Sequence, residues 1–85
     1  MKTIKIINKT GIHARPAGLL TKEAQKFSCD IDLIKDGKSV NAKSIMGILG
    51  MGIAEGDVIG IQANGTEADS AISSIYSIIE KINQE

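Results

Sequence analysis

At 85 residues the chain has room for one hydrophobic core, because two would each approach the roughly 40-residue limit below which domains seldom fold unaided. Ten basic residues balance ten acidic ones, which argues against a binder of long polyanions or anionic membranes and makes any basic site a local one. One cysteine, Cys29, and one histidine, His13, leave no internal disulfide and no structural zinc site. No apolar run approaches the roughly 20 residues that span a bilayer. A single cytoplasmic domain over residues 1–85 is expected, with Cys29 as a small, partly buried hydrophobe.

Residues 2–8 alternate apolar and polar at Ile4, Lys5 and Ile6, the period of a strand with one covered face, and 8–11 break that pattern. From Pro16 to Phe27 the residues Ala17, Leu20, Ala24 and Phe27 recur at intervals of three and four, forming one stripe of a helix that Pro16 suits at its first turn. Residues 30–42 read as a hairpin, with Ile31, Leu33 and Val40 alternating around a tight Asp36-Gly37 turn. Ser44 can cap a short helix over residues 44–51, whose Gly47 and Gly50 keep it weak on intrinsic propensity. Residues 57–64 give a fourth strand with Ile59, Ile61 and Ala63 on one face. Thr66 and Asp69 resemble a capping box opening a last helix, in which Ala68, Ile72, Ile75, Ile79 and Ile82 form the clearest stripe in the chain.

The order βαββαβα, with one apolar face per strand and one stripe per helix, predicts an α+β fold in two layers: an open-faced antiparallel sheet of four strands covered on one side by three helices. The sole imidazole then falls between a strand end and a helix start, in Gly11-Ile12-His13-Ala14-Arg15-Pro16. Unpaired N–H groups of a first helical turn and the positive end of the helix dipole make an anion site there. Arg15 adds a planar fork of donors that matches phosphate oxygens. Imidazole, with an unperturbed pKa of about 6.5, is partly neutral and nucleophilic near neutral pH. The competing interpretation is a helix-start histidine that only bonds locally. No second His, Ser-His-Asp set or phosphate loop accompanies the site, so His13 fits a carrier better than a full enzyme.

GIHARPAGL, followed about 30 residues later by KSIMGILGMGIAEGD, resembles the two signature segments of the HPr family, the histidine-containing phosphocarriers of the bacterial sugar phosphotransferase system. The resemblance runs over essentially the whole chain. It implies a sheet order of first, fourth, second, third strand, and a phosphoryl group taken from phosphoenolpyruvate by way of enzyme I. That group is carried on Nδ1 of His13 with help from Arg15, then passed to the IIA component of a sugar permease. It implies no metal and no organic cofactor. Leu19, Leu20, Ile45, Met46 and Leu49 are candidates for a partner-docking patch, the alternative for each being the core. Resemblance to the HPr of low-GC Gram-positive bacteria makes Ser44 a candidate for phosphorylation by HPr kinase/phosphorylase, followed by binding of a catabolite-control transcription factor.

The chain departs from many relatives at Gly50-Met51, where they have serine-leucine, and at Glu55, where they have lysine. The second change removes a positive charge from the regulatory surface. Gly47-Ile48-Leu49-Gly50 formally matches the GxxG of KH modules, but its middle residues are apolar and exposed stacking aromatics are scarce, so no nucleic-acid partner is expected. Within the relay class, a carrier serving regulation or nitrogen metabolism stays open beside one serving sugar uptake. A monomer is expected.

Overall fold

The computed structural model describes residues 1–85. Its elements are β1 (Lys2–Lys5), α1 (Ala14–Ala24), β2 (Asp30–Lys35), β3 (Lys38–Asn41), α2 (Ile45–Gly50), β4 (Val58–Asn64) and α3 (Ala68–Asn83). The four strands form one sheet in the order β1-β4-β2-β3, and every neighbouring pair is antiparallel.

Register decides which residues are covered. Ile4 lies opposite Ile59, Leu33 opposite Ile61 and Val40, and Ile31 opposite Ala63, so these side chains share one face. Ile31, Leu33, Ile59 and Ile61 are buried there under the helices, each burial contributing roughly 1.5–3 kcal/mol. The opposite face shows Thr3, Asp30, Val58, Gln62 and Asn64 to solvent. Helix α3 packs on β4, β1 and β2, α2 packs on β3, and α1 rests against both helices. The sheet is therefore open on one side, as the alternating pattern requires.

Between β2 and β3, Asp36 and Gly37 both take left-handed backbone angles, φ 52° and 79°, the geometry of a two-residue hairpin turn whose twist matches the strands. Ser44 caps α2, its hydroxyl accepting from the Gly47 N–H at 3.1 Å. The other end of α2 meets Lys35, whose Nζ donates to the carbonyls of Met51 and Gly52 at 3.1 and 2.9 Å and pairs with Asp57 at 3.0 Å. A cation at a helix C-terminus offsets the partial negative charge of its unpaired carbonyls.

Several boundaries differ from the sequence reading. β1 stops at Lys5. Ile6 is still buried, but its backbone bonds the turn at Gly56 and Asp57, and the Ile7 N–H goes to the Asn83 side chain. Phe27 lies beyond the end of α1, half-buried against the core. The capping box at Thr66 does not form: Glu67 occupies the N-cap of α3 without capping it, and its Oε1 instead accepts from the N–H and hydroxyl of Ser28. The buried stripe of α3 starts at Ala71, with Ala68 only half-buried, and the helix begins one residue later than a Thr66 cap would set it.

Candidate functional site

His13 is the N-cap of α1, with extended backbone angles of φ −98° and ψ −165°. Its carbonyl accepts from the Ala17 N–H at 2.9 Å, but its side chain caps nothing. The N–H groups of Ala14 and Arg15 have no acceptor one turn back, and Pro16 has no N–H, so the first turn keeps two free donors beside an exposed imidazole. Pro16 and Ala17 are buried and anchor the helix, while His13, Ala14 and Arg15 face solvent. The ring is thus open to a visiting protein. This is the arrangement that attracts an anion to a nucleophile.

Arg15 has a partner within the chain. Its guanidinium pairs with Oε1 of Glu85, a residue 70 positions away that the fold of α3 returns to this corner. Both side chains remain largely exposed, so the pair is screened by water and exchangeable. Nothing in the linear pattern pointed to Glu85, because the two residues share no helix face or strand.

Beneath the site lies a turn shaped by Gly11, at φ +62°. A Cβ here would come within 2.4 Å of the Ile53 carbonyl oxygen, so only glycine lets the two backbones approach. The Ile12 N–H then donates to that same oxygen at 3.1 Å. Asn8, almost fully buried, donates through Nδ2 to the Gly11 carbonyl at 2.8 Å. Asn8 was missed in the sequence. The available signal was a polar residue, three positions before a glycine, ending an apolar strand.

Segment 51–57 connects this turn to α2. Asp57 Oδ2 accepts from the Ala54 N–H at 2.8 Å and from Lys35, and these contacts hold its carboxyl below the ordinary value of 3.8. The bond from Ala54 is the larger cause and Lys35 follows.

Of the five apolar candidates, Leu19, Ile45, Met46 and Leu49 are exposed, Met46 the most at 75%. Leu20 is fully buried and is withdrawn from the patch. It belongs to the Ala17, Leu20, Ala24 stripe turned toward the core, whereas Leu19, one residue and roughly 100° around the helix, turns outward. The two helices touch near Gly18, where a Cβ would meet Ile45 Cδ1 at 3.8 Å, so the exposed residues of α1 and α2 lie on neighbouring ridges. Ser44 is half-buried, and Gly50 and Glu55 are exposed. No cluster of three or more His, Cys, Asp or Glu side chains could hold a metal ion, and no helix is long and apolar enough to cross a membrane.

The small open sheet thus carries a lone, exposed histidine at an uncapped helix start. A family model described as the PTS HPr component phosphorylation site matches residues 1–81. The chain belongs to the HPr family of phosphocarrier proteins. It is 48% identical to HPr-C-His from Thermoanaerobacter tengcongensis, covering 100% of this chain and 98% of that one, with a TM-score of 0.91. The histidine-containing phosphocarrier protein of Mycoplasma is 44% identical over 96% of this chain and 93% of its own, with a TM-score of 0.92. Crh, the catabolite repression protein of Bacillus subtilis described as a swapped dimer, is 36% identical over 95% and 93%, with a TM-score of 0.78.

Proposed function

We propose that the chain accepts a phosphoryl group on Nδ1 of His13 from phosphorylated enzyme I, itself charged by phosphoenolpyruvate, and donates it to IIA components of sugar permeases. The observation that carries this reading is the exposed, unbonded imidazole at the uncapped start of α1, two residues from Arg15. In the forward step a nitrogen–phosphorus bond forms at the ring as the bond to the donor breaks, and the electron pair leaves with the donor. The second step repeats this toward the acceptor. Free N–H groups and the Arg15 fork stabilise charge spread over the phosphoryl oxygens, which leaves little covalent work for the protein. Since both partners must approach in line, Leu19, Ile45, Met46 and Leu49 serve as the apolar patch on which they dock.

Ser44 is the regulatory position in this reading, modified by HPr kinase/phosphorylase and then recognised by a catabolite-control transcription factor. Its location on the docking helix supports the role, and so does similarity to a catabolite repression protein. A phosphate there adds nearly two negative charges to the patch and repels an acidic enzyme I surface. Ser44→Asp is expected to slow phosphorylation of His13. The carrier works in the cytoplasm as a monomer; light scattering of the purified chain separates this from a swapped dimer.

The test is incubation with enzyme I and phosphoenolpyruvate, followed by intact-mass measurement before and after mild acid. One acid-labile phosphate is expected, and no gain in mass would sink the reading. Transfer onward to purified IIA proteins separates a sugar carrier from one dedicated to regulation.

A further inference from the structure

We propose that Asn8 is a positioning residue for phosphoryl transfer, clamping the Gly11–Ile12 peptide group one residue before His13; the inference rests on the carrier reading above. Asn8 is 4% exposed, and its carboxamide reaches forward under the site turn. Nδ2 donates to the Gly11 carbonyl at 2.8 Å and, at 3.3 Å, to the Thr10 hydroxyl, while the Gly11 N–H returns a bond to the Asn8 carbonyl at 3.2 Å. The Gly11 carbonyl can only accept, so the amide nitrogen must be the atom that faces it. Oδ1 is then buried with no donor.

What an apolar replacement loses is the hold on Gly11. The Gly11 carbonyl and the Ile12 N–H belong to one peptide unit, and the two ends of that unit are held separately. Asn8 takes the oxygen, and the Ile53 carbonyl takes the N–H at 3.1 Å. A planar unit fixed at both ends resists rotation, so the Ile12 Cα, one residue before His13, has a set position from which the His13 backbone starts. In-line attack tolerates little error in where the ring nitrogen sits, and small misplacements cost large factors in rate.

The experiment compares Asn8→Ala and Asn8→Asp with the native chain, using enzyme I and phosphoenolpyruvate, and takes Thr10→Val as a control. For Asn8→Ala we expect kcat for His13 phosphorylation to fall about 10-fold with KM for enzyme I unchanged, because the docking patch is untouched. Asn8→Asp should fall further, since a carboxylate oxygen then opposes the Gly11 carbonyl. Thr10→Val should stay near native, its bond being the longer of the two. Rates equal to native, or reduced only in proportion to the folded fraction seen by circular dichroism, would overturn the inference. A measurement on the native chain stands beside the variants: the Asn8 side-chain amide protons and the Ile12 amide should exchange slowly with deuterated solvent. Free exchange of either refutes the clamp, even if a variant fails to fold. Should the native chain take up no phosphate, the carrier reading itself fails. Uptake by native and variants alike removes only Asn8.

Discussion

Two helix starts in this molecule carry the residues of interest, and they are finished differently. At α2 the Ser44 hydroxyl satisfies the Gly47 N–H, so the end is closed by its own side chain. At α1 the N-cap His13 caps nothing, which leaves donors at Ala14 and Arg15 without partners in the fold. The cap at Ser44 contributes stability by satisfying one donor of its helix, whereas at His13 the equivalent position is Pro16, which has no N–H to cap; in both helices the first two N–H groups keep no partner in the fold.

The largest effect expected from breaking this contrast is at His13. His13→Ala should abolish the acid-labile phosphate altogether, while Ser44→Ala should leave it in place; intact-mass analysis decides. Arg15→Ala keeps the fold and should slow transfer roughly 10²-fold, the usual consequence of removing one preorganised charge-stabilising donor. Quenched-flow measurement against phosphorylated enzyme I reads this directly, and an unchanged rate would take Arg15 out of the mechanism. Ser44→Ala should lower stability by roughly 1 kcal/mol through the lost cap. The equivalent removal of a cap by His13→Ala should cost nothing measurable, since there is no cap to lose. Urea titration of the two variants tests the pair.

The smallest effect concerns the strap between the two ends. Asp57 has a carboxyl pKa held below its unfolded value by the Ala54 N–H and by Lys35. The folded protein therefore keeps Asp57 ionised at a pH where the unfolded chain has begun to protonate it. Its contribution is complete above the ordinary aspartate range and is lost as the pH falls through the folded value. Asp57→Asn should lower stability at neutral pH and converge on the native chain as the pH falls below about 4, flattening the acid limb of the stability curve, as thermal melts across the range would show.

Periodicity revealed most of the fold. Ile31, Leu33, Ile59 and Ile61 alternate, and Ile75, Ile79 and Ile82 recur at helical spacing, because a sheet face and a helix stripe are both local patterns that burial must respect. The helix start at His13 was legible for the same reason, since the signals for it lie in adjacent residues. Long-range partners were not legible. Glu85 reaches Arg15, Asn8 reaches under Gly11 to the peptide held by Ile53, and Glu67 serves Ser28 instead of starting a capping box. Each depends on where distant elements meet. Leu20 was misassigned because neighbouring leucines are indistinguishable until the helix phase is known to one residue.

The Arg15–Glu85 pair has a practical consequence. Because Glu85, just past the last helix, pairs with the Arg15 guanidinium, a phosphate bound there on the proposed reading would compete with that carboxylate. Gln84 is exposed, so a cysteine-coupled dye there would sit one residue from the displaced carboxylate and give an optical readout of loading without any label near the imidazole.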